Sequence, residues 1–115
     1  MTVMIYKICP QDLWQEAEAE GLFKGAGIDH ADGFIHFSTA DQVAMTAHLH
    51  FNGLEGLVLV KVSTENLDVK WEASRGGELF PHLYHDLELS FVTDVIPMPL
   101  DGDGNHILPA EITPL

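Results

Sequence analysis

Leu57-Val58-Leu59-Val60-Lys61-Val62 is the most apolar run in the chain. Its β-branched residues and shortness mark a strand, and its lack of alternation marks one covered on both faces. Such a strand obliges the rest of the chain to supply further strands beside it and packed layers above and below. Residues 3–9, Val-Met-Ile-Tyr-Lys-Ile-Cys, supply a first strand. Residues 67–72 alternate apolar and charged positions, and residues 87–96 alternate again with Leu87, Leu89, Phe91 and Val95 inward. About five strands and two helices are expected, the helices early and the strands mostly late. That is an α+β layout with small, mostly antiparallel sheets. At 115 residues the chain reads as one domain, with 97–115 as a C-terminal extension.

The first helix is expected to open at Pro10, where a missing N–H costs nothing, and to close at Gly21. Leu13, Trp14 and Ala17 give it an apolar face, with Trp14 as a core anchor. Residues 22–31 read as a loop with Gly25 and Gly27. Asp32-Gly33 signals a turn, Phe34 to Phe37 a short buried strand, and Ser38 followed by Asp41 a helix start. The second helix, about 40 to 51, places Val43, Ala47 and Phe51 on one face and His48 and His50 near its end; Asn52-Gly53 stops it. On this reading His36, Ser38 and Thr39 meet free helix N–H donors, a place for a polar or anionic ligand.

Charge narrows the partners. Five Lys and Arg against 18 Asp and Glu give a net charge of −13. Phosphate-backbone binding needs a basic stripe, so neither nucleic acid nor an anionic membrane surface is an expected partner. The single Cys9 permits no intrachain disulfide and suits a reducing compartment. With no apolar run near about 18 residues and no signal-peptide pattern, a cytoplasmic location is expected.

Residues 73–86 are dense in reactive side chains: Arg75, a glycine pair, His82, Tyr84, His85 and Asp86. They read as a functional loop between two strands. A metal site would draw on His82, His85, Asp86 and His36, but no paired ligand motif is present and no metal is expected. Asp101-Gly102-Asp103-Gly104-Asn105 has His106 and Ile112 where a calcium loop needs Gly and Glu, so it reads as a reverse turn joining Leu100 to Ile107. Neither Ser38 nor Cys9 has the surroundings of an activated nucleophile. Glycosidic-bond chemistry on a nucleotide fits the inventory better. Glu72 would stabilise a ribosyl cation, His36 with Ser38 and Thr39 would grip polar groups, Tyr84 would stack and Arg75 would meet phosphate.

Ile5-Tyr6-Lys7-Ile8, Trp14, Asp29, Asp32 to Thr39 with Gln42, Trp71-Glu72, Arg75-Gly76-Gly77 and Phe80 to Tyr84 resemble the small bacterial domain-of-unknown-function family nine-five-two. The resemblance spans about residues 4 to 96. It implies a fold like that of the ADP-ribosylation superfamily, two small sheets forming a cleft that in the enzymes grips NAD. Ile35 to Ser38 is similar to the His-bearing second motif of RNA 2′-phosphotransferases, and Ser38-Thr39 to the hydroxyl pair of arginine-type transferases. Glu72 would be the late catalytic Glu. The chain departs from those enzymes at Tyr6-Lys7 and lacks the Arg-rich RNA-binding set, so RNA is not the expected substrate. Two functions follow as expectations. One is an ADP-ribosyltransferase-like enzyme or NAD glycohydrolase, with Glu72 and His36 catalytic and Ser38, Thr39, Arg75, His82 and Tyr84 binding NAD. The other is a non-enzymatic module that keeps the cleft for a small ligand, nucleotide, metabolite or protein.

Overall fold

A computed structural model describes residues 2–115, among which there are nine strands, three α-helices and two short 3-10 turns at 75–77 and 89–91. In chain order they are β1 (Met4–Pro10), α1 (Gln11–Glu20), β2 (Leu22–Phe23), α2 (Asp29–Asp32), β3 (Ile35–His36), β4 (Ser38–Thr39) and α3 (Val43–His50). There follow β5 (Leu57–Ser63), β6 (Val69–Ala73), β7 (Leu79–Leu83), β8 (Leu87–Glu88) and β9 (Val92–Pro97). Every strand pairing is antiparallel, and the class is α+β as expected.

The main sheet has the order β4-β1-β5-β9. Its register sets Ile5 opposite Val62, Lys7 opposite Val60 and Cys9 opposite Val58, so these six side chains share one face. That face packs on Trp14 and Ala17 of α1, Phe23, Phe37, Ile35, Leu83 and Leu87. The other face, with Tyr6, Ile8, Leu57 and Leu59, packs on Val43, Ala44 and Ala47 of α3 and on Met98 and Ile112 of the C-terminal stretch. Layers on both faces account for the unbroken apolar run in β5.

Three expectations are corrected here. Ser38 does not cap a helix: it lies in β4 opposite Tyr6, and α3 starts at Val43 behind Gln42 with no side-chain cap. Ser38 and Thr39 pair with the edge of β1 opposite Tyr6 and Ile5, so extended backbone replaces the expected helix start. Residues 79–83, expected within a loop, form the central strand of a three-stranded sheet, β3-β7-β6. Pro81 is tolerated there because its carbonyl accepts from Phe37 N–H at 3.1 Å, and its missing N–H would face that same neighbour, where the chain leaves β3 for β4. Finally, the inward alternation of β6 is incomplete: Trp71, opposite Pro81 on an edge strand, stays 41% exposed.

The segment 35–39 therefore belongs to both sheets. It pairs with β7 through His36 and with β1 through Ser38, and it pins the two sheets together at their junction.

Candidate functional site at the junction of two sheets

Lys7 occupies an inward position of β1 and is almost fully buried. A buried ammonium requires a counter-charge. Asp29, the first residue of α2, supplies it: Asp29 Oδ2 lies 2.7 Å from Lys7 Nζ and accepts the Ala26 N–H at 2.9 Å. Asp29 Oδ1 accepts the backbone N–H of His36 at 3.1 Å and its ring Nδ1–H at 2.6 Å. Burial alone would raise the Asp29 pKa. The His36 bond and the Lys7 charge outweigh it and hold the carboxyl at about 2. Gly25 makes room for this arrangement, since a Cβ there would come within 2.9 Å of Asp29 Cβ and its φ is +110°.

On the far side of the ring, His36 Nε2 lies 3.0 Å from Asp32 Oδ2. A carboxylate only accepts, so His36 Nδ1 carries a proton and donates it to Asp29. Asp29 thus fixes the imidazole at the outer face of β3.

His36 pairs directly with His82 across β3 and β7, their rings 5.4 Å apart edge to face. His82 Nδ1 donates to Glu72 Oε1 at 2.9 Å, and the Tyr84 hydroxyl donates to the same oxygen at 2.6 Å. These bonds, Tyr84 first and His82 next, hold Glu72 below its ordinary pKa, while Tyr84 is raised in return. Phe34 lies over the group, its ring 4.4 Å from His36, 4.2 Å from His82 and 5.0 Å from Tyr84. A cavity of about 210 Å³ opens beside Phe34 and Tyr84, walled also by Lys24, Asp29, His30 and Asp86.

Ser38, Thr39 and Arg75 stand apart from that group. Thr46 of α3 donates its hydroxyl to the Gln42 carbonyl at 3.2 Å and accepts from Arg75 at 3.2 Å. Its one proton is thereby used, so at 3.0 Å the Ser38 hydroxyl is the donor to Thr46. The Arg75 guanidinium lies 4.9 Å from the centre of the Phe80 ring. Phe80 is directly opposite Glu72 and two residues from His82, so this second group shares the outer face of the three-stranded sheet. The Thr39 N–H is taken by Gln42 Oε1 at 3.1 Å. Cys9, buried beside the junction, has its thiol pushed up to about 11 by burial and stays protonated near neutral pH.

Of the residues picked from the sequence, four meet: Glu72, His36, His82 and Tyr84. Lys7, Asp29, Asp32 and Phe34 were missed as site residues. Lys7 carried a readable signal, because a lysine between Ile5 and Cys9 on the buried side of a strand must find an acid. Nothing local marked Asp29 as that acid among 18 carboxylate residues.

No curated protein matches this chain. A crystal structure of protein CC0527 from Caulobacter crescentus superposes with a TM-score of 0.86 at 48% identity, covering 90% of this chain and 93% of that one. A crystal structure of a double mutant of CC0527 gives 0.85 at 47% identity over 90% and 93% of the two chains. The solution NMR structure of CC0527 gives 0.80 at 49% identity over 89% and 90%. The family described as "Protein of unknown function (DUF952)" matches residues 8–95, which hold all the junction residues except Lys7. With most of its length matched, the chain belongs to that family.

Proposed function

We propose that the junction is an ADP-ribosyltransferase-like site that takes NAD as substrate, on a fold of the ADP-ribosylation kind. The carrying observation is the clamp on Glu72. Both donors, Tyr84 and His82, hold Oε1, and Oε2 takes no hydrogen bond among the described residues. A carboxylate held ionised in this way is a poor general acid and a good stabiliser of positive charge. On this reading Oε2 accepts from a ribose hydroxyl and faces the cation that develops as the ribosyl C1–N bond breaks. The bonding pair leaves with nicotinamide, and water or another nucleophile then attacks C1. Phe34 and Tyr84 offer aromatic surface to a ring.

Charge adds support. Among the described residues, Lys7 and Lys61 are paired to Asp29 and Glu111, whereas Lys24, Lys70 and Arg75 form no ion pair. Lys70 stands opposite His82 and Arg75 lies over Phe80, so these two flank the site, while Lys24 walls the cavity beside Phe34 and Tyr84. An acidic protein that leaves these cations without a carboxylate partner near the junction is suited to a ligand with phosphates. His36 and Arg75 would orient NAD, with Ser38 and Thr39 holding Arg75's surroundings rather than touching the ligand.

The test is nicotinamide release from NAD. The purified protein should release it, and Glu72→Gln should abolish release while NAD binding, read by calorimetry, persists. No saturable NAD binding up to millimolar concentration would reject the reading. A second reading, a binding module without turnover, is favoured by one observation: both ring nitrogens of His36 are already engaged by Asp29 and Asp32. Thermal-shift screening with nucleotides and metabolites that gives a hit without turnover would select it.

A further inference from the structure

β6 is an outer strand of the three-stranded sheet, with one edge that no strand covers among the described residues. Pro81 decides which of its backbone groups point outward. The Pro81 carbonyl turns toward β3 to accept the Phe37 N–H, so Trp71, which stands opposite Pro81 on β6, makes no ladder bond with it. The N–H and C=O of Trp71 therefore face away from the sheet, as do the Val69 carbonyl and the Ala73 N–H to either side. The Val69 N–H is engaged by the Leu67 carbonyl at 2.9 Å. Such a row is a template for another strand.

The side chains along that row suit a second strand. Val69, Trp71 and Ala73 lie on the face of the sheet where Pro81 and Leu83 are buried, yet Trp71 is 41% exposed and nearby Leu79 56%. The layer beneath the sheet stops short of this margin. On the outer face Lys70 and Glu72 flank Trp71, so residues 69–73 are neutral within a chain of net charge −13. Copies with that charge repel over most of their surface, and a neutral strand relieves the repulsion locally. β9, an edge of the main sheet, differs: it carries Asp94, has no cation, and ends at Pro97, which lacks an N–H.

We propose that β6 pairs antiparallel with β6 of a second copy of this chain, about a two-fold axis at Trp71, joining the two three-stranded sheets into one. The N–H and C=O of Trp71 exchange bonds with those of Trp71 of the second copy, and the Ala73 N–H donates to the Val69 carbonyl of the second copy. Lys70 then stands directly opposite Glu72 of the second copy, and Glu72 opposite Lys70 of the second copy. These are the close, non-ladder positions, where opposite charges stabilise a pairing. Charge also fixes the register, because sliding one copy by two residues sets either Lys70 against Lys70 or Glu72 against Glu72. The two Trp71 side chains meet on the inner face and cover the exposed margin. Lys70 of the second copy thereby joins the junction beside Glu72, whose Oε2 takes no hydrogen bond among the described residues. The pairing does not rest on the NAD reading, and it is measured with no ligand present.

Sedimentation of the full chain should show a concentration-dependent dimer. Lys70→Glu sets acids opposite each other and Glu72→Lys sets lysines opposite each other, so each variant alone should dimerise roughly ten-fold or more weakly. Mixed in equal amounts, the two variants restore opposite charges at both positions and should form a heterodimer at least as tight as the native dimer. A variant that was merely misfolded would show no such recovery. A native chain that stays monomeric up to millimolar concentration, as for an edge kept for a strand of another protein, would overturn the proposal. A dimer that neither single variant weakens, or a mixture no tighter than its parts, would overturn it as well.

Discussion

Lys7 shows how one side chain can organise a site it does not enter. Its need of a partner was legible, because β1 is an apolar strand buried on both faces and a lysine inside it requires a counter-charge. Its partner was not, since the distance from residue 7 to 29 is set by tertiary packing. Removing one member should strand the other: Lys7→Met or Asp29→Asn should each cost about 3–5 kcal/mol in urea unfolding, because a buried charge is left without its counter-ion. The double substitution should recover much of that loss, and strictly additive losses would argue that the two groups do not pair. Glu72 belongs to the opposite case. It lies at the surface of the sheet, so Glu72→Gln should leave the unfolding midpoint almost unchanged while altering ligand chemistry. Its face was readable from the period-two pattern of residues 67–72; its two donors were not, because His82 and Tyr84 lie in a stretch whose proline and glycines hid a strand.

At the scale of elements, the legible parts were those whose burial is set by one sheet: β1, β5, the apolar stripe of α1 and the Val43–Ala47 side of α3. The illegible parts are short strands that change sheets. Segment 35–39 gives two residues to each sheet, too few for periodicity to show, and a serine followed by an acid imitates a cap. The C-terminal stretch was also underestimated, for it buries Ile112 to 4% exposure against Tyr6, Ile8 and Leu59. Ile112→Ala should therefore cost about 2–4 kcal/mol, as for other core truncations, measured by denaturant unfolding. A loss below about 1 kcal/mol would mean that the stretch is laid on the surface without being part of the core.

For the molecule as a whole, acid stability follows from Asp29. Its carboxyl has a folded value of about 2 against an ordinary 3.8. The folded value is depressed, so the unfolded chain takes up the proton first as pH falls. The contribution is complete above 3.8 and is lost as pH drops through about 2. Unfolding midpoints should decline across that window, and Asp29→Asn should flatten the decline. With a net charge of −13, self-repulsion opposes the compact state near neutral pH. Moderate salt should therefore raise the melting temperature, while the buried Lys7–Asp29 pair is screened little.

The proposed site depends on the two sheets meeting around a ligand-bearing face. The direct measurement is an NMR titration of NAD that follows the imidazole signals of His36 and His82 together with the amides of Phe34 and Tyr84. Saturable shifts confined to those signals and to residues 70–75 are the predicted result. Shifts that are absent, or that appear only around α3 and the C-terminal stretch, would contradict it.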